Sequence, residues 1–352
     1  MQKKIATRLS IVAALALSLQ ASAQDIHFTE FDAAPMIINP AFTGMFDGML
    51  RADGIYRTQW ASVTVPYVTF AASADMPIYT ERNGDYLAAG LQLYKDQAGD
   101  ANLANTTAMA SIAYHKTFGG GGDRSFGSND LAVGLQAGYA QKSIDLSKLY
   151  FGDEFVNGTF VQGTSQEYHL GIGNSVNYYL VNAGVSFSHS NGSNVSYILG
   201  LAANNLNQPN DAIEEKQNQQ TGLDMRYTAE LGVDWSVSSK LMLRPAVLYQ
   251  YQASATEIIA GNEFHYILTE HSDVNNFTTA VFLGGWYRSG DATMITAGME
   301  FSGFRIGCAY DYNISALNTA SNGNGGFEIS VRYILPPPMA YVKKRTVPCS
   351  RF

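Results

Sequence analysis

Polar and apolar residues alternate along this chain with a period of two. In Gly326-Phe327-Glu328-Ile329-Ser330-Val331-Arg332-Tyr333-Ile334, Phe327, Ile329, Val331 and Tyr333 share one face and Glu328, Ser330 and Arg332 share the other, because successive side chains of a strand point to opposite sides. The pattern recurs near Arg51 to Gln59, Tyr67 to Ala74, Tyr86 to Tyr94, Thr106 to Lys116, Leu131 to Gln141, Tyr178 to Ser188 and Val195 to Leu206. It continues near Arg226 to Val237, Leu241 to Gln252, Glu257 to Ile267, Thr278 to Tyr287, Thr293 to Phe301, Arg305 to Tyr312 and Phe327 to Ile334. Segments of about ten residues, even in number, predict an all-β fold: a transmembrane antiparallel β-barrel of about 14 strands over residues 49–335.

The connectors agree with this reading. Outer-membrane barrels have short periplasmic turns and longer external loops. Asn191-Gly192-Ser193, Ser238-Ser239 and Ser302-Gly303 are short and follow even-numbered strands, whereas Ser143 to Asn177, Asn207 to Met225 and Asn313 to Gly325 are long and follow odd-numbered ones. Both chain ends are therefore expected in the periplasm. Met76 to Asp85 and Gly119 to Asn129 are long where this scheme wants short turns.

The first residues fit an export signal. Lys3, Lys4 and Arg8 precede an apolar run from Ile11 to Leu19 and then Ala21-Ser22-Ala23, the three parts of a secretory signal peptide, expected over residues 1–23. Residues 24–48 contain Pro35, Pro40 and Gly44 and read as an N-terminal periplasmic segment or a plug. Residues 336–352, with Lys343-Lys344-Arg345, read as a basic periplasmic tail. No later segment has the ~18 consecutive apolar residues of a membrane helix. Insertion must be by strands.

Composition sharpens this picture in two places. Hydrophobic residues make up 46% of the chain while the mean hydropathy is only -0.08, as interleaving rather than clustering requires. A net charge of -8 argues against a nucleic-acid surface. On the alternating segments, Arg51, Asp53, Arg57, Gln59, Glu300, Arg305, Asp311, Glu328 and Arg332 fall on the inward face. They are the candidate lumen or partner contacts, expected to pair within a polar, hydrated bore. Cys308 shares the outward face of its strand with Phe304, Ile306 and Tyr310, which makes a disulfide to Cys349 geometrically awkward.

Catalytic chemistry finds no foothold. The histidines His27, His115, His169, His189, His265 and His271 are scattered, with no His-Glu-x-x-His pair. Gly163-Thr164-Ser165-Gln166-Glu167 lacks the final glycine of a nucleophile elbow. Gly119-Gly120-Gly121-Gly122-Asp123 lacks the Gly-Lys-Ser/Thr of a phosphate loop, and Glu214-Glu215 lacks a spaced calcium-ligand loop. No catalytic residue, cofactor or metal site is expected. Trp60, Trp235 and Trp286 read as interfacial or packing aromatics.

Several short stretches occur in a distinctive order: Gln24-Asp25-Ile26-His27-Phe28-Thr29-Glu30-Phe31, Ile38-Asn39-Pro40-Ala41-Phe42-Thr43-Gly44, Tyr56-Arg57-Thr58-Gln59-Trp60, Phe151-Gly152-Asp153-Glu154-Phe155, Asn205-Leu206-Asn207-Gln208-Pro209, Tyr310-Asp311-Tyr312-Asn313, Gly325-Gly326-Phe327-Glu328-Ile329-Ser330, and the end from Lys344 to Phe352. As an ordered set they resemble the PorP/SprF family of type IX secretion system outer-membrane proteins. The resemblance implies a non-enzymatic barrel in the outer membrane that works with other type IX secretion components in protein secretion and gliding motility. Its implied partner is a secreted surface protein, an adhesin carrying a type B C-terminal domain. Ser350 stands where proline is common in the closing motif, and Glu154 where glutamine is common. The alternative reading is a passive porin or solute channel, which needs an open lumen and no obligate protein partner.

Overall fold

The computed structural model describes residues 26–63, 65–119, 128–156, 158–166, 173–191, 194–213, 222–269 and 278–336. The expected signal peptide, Gly120 to Asp123, His169, Glu214-Glu215, His271, the basic residues 343–345 and Cys349 lie outside them. Strands β1 (Leu50–Gln59), β2 (Tyr67–Thr80), β3 (Tyr86–Ala98), β4 (Leu103–Phe118), β5 (Ser128–Ser143), β6 (Ser175–Ser190) and β7 (Val195–Asn204) are followed by β8 (Arg226–Ser236), β9 (Leu241–Gln252), β10 (Ala255–Thr269), β11 (Thr279–Arg288), β12 (Ala292–Phe301), β13 (Phe304–Asn313) and β14 (Asn324–Leu335). Each pairs antiparallel with the next, and β1 pairs with β14 to close the barrel. Closure leaves no edge strand in the barrel, so the wall pairs its ladder groups strand to strand rather than with water.

Alternation works as the sequence predicts. On β14, Phe327, Ile329 and Val331 are exposed while Glu328, Ser330 and Arg332 are buried. The outward residues form two aromatic girdles. Tyr139, Tyr179, Tyr227, Tyr251, Tyr287 and Tyr312 lie toward one end, and Tyr114, Phe118, Tyr197, Trp235, Phe264 and Phe304 toward the other, as membrane–water interfaces require. Cys308 is exposed on this outer face and unpaired.

Three strand boundaries beside the long connectors extend beyond expectation, the first for an identifiable reason. Strand β2 runs on to Thr80, and its register slips between Pro77 and Tyr79. A proline cannot donate to the ladder, so it sits at an irregularity; the long connector expected from Met76 shrinks to residues 81–85. Strand β4 likewise reaches Phe118 and β5 starts at Ser128. The end carrying Met49 and Leu335 is the terminal end; the opposite, loop end carries residues 144–156, 158–166, 173–174, 205–213, 222–225 and 314–323.

The barrel is not hollow. Residues 26–48 run inside it as a chain of single turns, Phe31–Ala33, Pro35–Ile38 and Pro40–Phe42. Phe31, Phe42 and Met45 pack on Ala132, Ile198, Leu248, Ile259, Trp286 and Met294 of the wall, with the Phe31 and Trp286 rings edge-to-face at 5.4 Å. Phe28, Ala34 and Ile37 pack on Ile55 and Ala71. The inner wall is thus apolar where the plug's large side chains land, a correction to the polar bore expected above.

Membrane burial of the wall gives a direct prediction. Leu135, exposed in the middle of β5, should cost ~2–4 kcal/mol of folding stability as Leu135→Arg, against ~0–1 for the rim substitution Gln141→Arg. Denaturant titration of the barrel in lipid vesicles measures both.

Candidate functional site

The candidate site is the surface between plug and wall, with the folded loops above it. Glycines make the plug's close approach possible. Gly134 on β5, Gly184 on β6 and Gly200 on β7 face inward against Asn39, Pro40 and Phe42: a Cβ at Gly184 would strike Asn39 Oδ1, one at Gly134 the Pro40 carbonyl, and one at Gly200 would lie 2.8 Å from Phe42 Cζ. Asn39 uses this access fully. Its Nδ2 donates to Val185 O at 3.1 Å and Leu201 O at 3.3 Å, and its Oδ1 accepts Ala41 N at 2.9 Å, capping the Pro40 turn.

Charged side chains complete the seal in three groups. In the first, Arg57 of β1 and Glu328 of β14 are ladder partners across the closing seam and form an ion pair. Glu328 Oε1 accepts Thr29 N at 2.7 Å and its Oε2 accepts Glu30 N at 3.0 Å. Arg57 Nη2 also meets Asp311 Oδ2 at 3.0 Å, while Asp311 accepts the Thr29 hydroxyl at 2.6 Å and Arg288 Nη1 at 3.2 Å. One loop segment, Thr29-Glu30, therefore ties four wall residues together.

In the second group Arg51 pairs with Asp75, Nε to Oδ1 at 2.9 Å and Nη2 to Oδ2 at 2.7 Å. The same Nη2 donates to Phe42 O at 3.0 Å, and Asp75 Oδ2 accepts Gly44 N at 2.5 Å. His115, stacked on Tyr86 at 4.1 Å, bridges Asp130 and the Thr43 carbonyl. In the third group Arg305 reaches Glu263 at 2.9 Å, Glu300 at 2.5 Å and Asp32 of the plug at 3.5 Å, its guanidinium lying over Phe282. Arg332 pairs with Asp53 at 2.5 Å and also donates to the Asp32 carbonyl.

Arg51, Asp53, Arg57, Arg305, Asp311, Glu328 and Arg332 are thus inward and buried, with Glu300 partly buried. Gln59 is half-buried at the loop end of β1, opposite Gly326, outside these ion pairs. These groups meet a packed plug rather than the hydrated bore expected. Sequence reasoning passed over Asp75, Arg288, Glu263, His115 and His265; Glu263, His115 and His265 sit at inward positions of the alternating segments, and Asp75 and Arg288 carry the inward parity one residue beyond theirs. No cluster of metal-ligating side chains occurs among the described residues.

Above the barrel, residues 144–156 and 158–166 form a structured platform. Glu154, fully buried, accepts Phe151 N at 2.9 Å and Gly163 N at 2.6 Å, folding Phe155–Val156 against Thr159–Phe160 as a two-stranded hairpin. Hydrogen bonds from Ser165 and from Gln166 N hold the Asp153 carboxyl below the usual carboxylate range. The fold leaves Tyr150, Phe155 and Phe160 exposed as a cluster, with ring centroids 5.4 and 5.0 Å apart. At the loop end of the wall, the Asn207 side chain acts as a ladder substitute where β7 stops short of β6, accepting Val181 N and donating to Tyr179 O.

The model of the family described as type IX secretion system membrane protein PorP/SprF matches residues 20–333. No curated protein matches the chain in sequence. Among solved structures it is similar to the toluene transporter TbuX of Ralstonia pickettii, at 10% identity and a TM-score of 0.47 over 86% of this chain and 94% of that one. It is also similar to CdiB from Escherichia coli, at 10% identity and a TM-score of 0.42 over 80% and 63%.

Plug contacts can be tested by substitution. Arg57→Ala leaves Glu328 and Asp311 buried without their shared cation and should cost ~3–5 kcal/mol. Gly184→Val should cost ~1–3 kcal/mol by overpacking against Asn39. Denaturant midpoints report both, and protease nicking within residues 26–48 should rise in Gly184→Val.

Proposed function

Since the chain belongs to the PorP/SprF family of type IX secretion system membrane proteins, we propose that it supports export and surface attachment of a partner protein, received at the loop end and not in the lumen. The partner class is a secreted surface protein, an adhesin with a type B C-terminal domain, handled together with other type IX components. Both chain ends are periplasmic in this reading, so the long loops are external. The short terminal-end turns at residues 81–85, 237–240 and 302–303 support that orientation.

The observation that carries the reading is the filled bore. Residues 26–48 bury their large side chains against the wall and engage its charges through backbone groups, which leaves the inward charges committed to the plug or, as with Arg244 and Asp234, to one another. A solute channel needs those charges on water. The exposed aromatic cluster Tyr150, Phe155 and Phe160 supplies what a protein contact needs instead: large, stiff, partly polar surface held by a folded loop.

Purification of the native complex from membranes tests this. Wild-type barrel should bring the surface protein with it, and the triple variant Tyr150→Ser, Phe155→Ser, Phe160→Ser should lose it while keeping the heat-modifiable mobility of a folded barrel. Equal recovery by both barrels would remove the loop end from the reading. Unchanged surface display after deletion of the barrel would remove the partner altogether.

A further inference from the structure

The outer wall carries a second feature that the export reading does not use. From the ladder registers, outward residues of neighbouring strands form horizontal rows. One row is Leu91, Ala110, Ala137 and Val181; the next toward the loop end is Leu93, Ala108, Tyr139 and Tyr179; the next is Lys95, Thr106, Gln141 and Asn177. Two apolar rows are followed at one height by a polar row. Side-chain size varies within the apolar rows: Leu91 and Leu93 stand on one side, Tyr139 and Tyr179 on the other, and only the methyls of Ala108, Ala110 and Ala137 lie between.

The result is an open apolar groove of about 1050 Å³ along β4. Beyond the polar row lies a second cavity of about 940 Å³, lined by Lys95, Gln97, Gln141 and Ser143 of the wall and by Ser147 and Gln162 of the folded loop. Each is of the size of a small-molecule site, ~300–1,000 Å³. The polar groups there are mostly accounted for: Asp145 turns its carboxylate to Ser147 of its own loop, and Gln141 donates to Asn177. Lys95 is exposed and makes no ion pair among the described residues.

We propose that this groove and the polar cavity above it together bind one membrane lipid, with an acyl chain laid along Ala108 and Ala110 between the leucine and tyrosine walls, and a phosphate-bearing head group at Lys95. An acyl chain fits because a smooth lipid-facing wall has no recess, whereas this one offers walls on both sides and a floor of methyls. The head group is anionic because the charge without an ion pair at the top of the groove, among the described residues, is the Lys95 cation. Tyr139 and Tyr179, packed edge-to-face at 5.8 Å, stand at the height where the chain ends and the head begins, the depth at which tyrosines mark a membrane interface.

The site is independent of partner capture and is tested apart from it. Delipidated full-length barrel is titrated with phosphatidylglycerol, and in parallel with phosphatidylcholine, and bound lipid is counted by native mass spectrometry. Three variants are compared: Ala108→Leu with Ala137→Leu, which fills the groove from the lipid side without touching the plug; Lys95→Glu; and Leu283→Ala on the far wall. Wild type and Leu283→Ala should retain a phosphatidylglycerol adduct at activation energies that strip phosphatidylcholine, and the groove-filled barrel should lose it. Lys95→Glu should lose the preference between the two lipids. Equal adducts on wild-type and groove-filled barrels would overturn the site, and an unchanged preference in Lys95→Glu would overturn the head-group assignment. A photo-crosslinker at Ala110 in native membranes should capture lipid mass; capture of a polypeptide instead would overturn the lipid as occupant.

Discussion

Everything inside this barrel depends on the carboxylate of Glu328. It is a ladder neighbour of Arg57 across the seam where the last strand meets the first, and it takes the backbone N–H groups of Thr29 and Glu30 on its two oxygens. Desolvating a carboxylate costs several kcal/mol unless its lone pairs are satisfied. Here a guanidinium and two amides of the plug do so at once. Barrel closure and plug seating are thus coupled through one side chain. Removing the cation leaves a buried charge, and removing the plug takes both amide donors from the carboxylate.

The same logic explains why the plug is irregular. A continuous helix would satisfy its own backbone and leave the wall charges nothing to bind. Short turns broken at Pro35 and Pro40 instead present N–H and C=O groups sideways: Gly44 N to Asp75, Phe42 O to Arg51, Thr43 O to His115 and the Asp32 carbonyl to Arg332. The wall answers with glycines where backbone must come close and with large apolar residues where Phe31 and Phe42 must be covered. A barrel of this strand number is too wide for its own side chains to fill. Plug and wall are therefore one core.

The strands, their faces and the loop parity were legible in the sequence because alternation is local and the membrane imposes it on every strand. Arg51, Arg57, Asp311 and Glu328 could be placed inward from period alone. Their partners on the plug could not, because Asp75 meets Gly44 and Glu328 meets Thr29 through contacts that no local pattern encodes. The end of β2 was misread since Pro77 imitates a loop while sitting at a slipped register. Asn39-Pro40 reads as a turn in any sequence; that its amide reaches two wall carbonyls is visible only with Gly184 beside it. Family resemblance carried the functional reading further than local physics did, and the folded aromatic loop gives that reading a place to act.

Single-channel recording in planar bilayers tests the central claim, a barrel sealed by its own N-terminal segment, most directly. The full chain should be electrically silent, and the chain lacking residues 26–48 should pass a steady current through a bore lined by Arg51, Arg57, Arg305 and Arg332. A stable open conductance from the full chain, or silence from a folded barrel without the segment, would contradict the account.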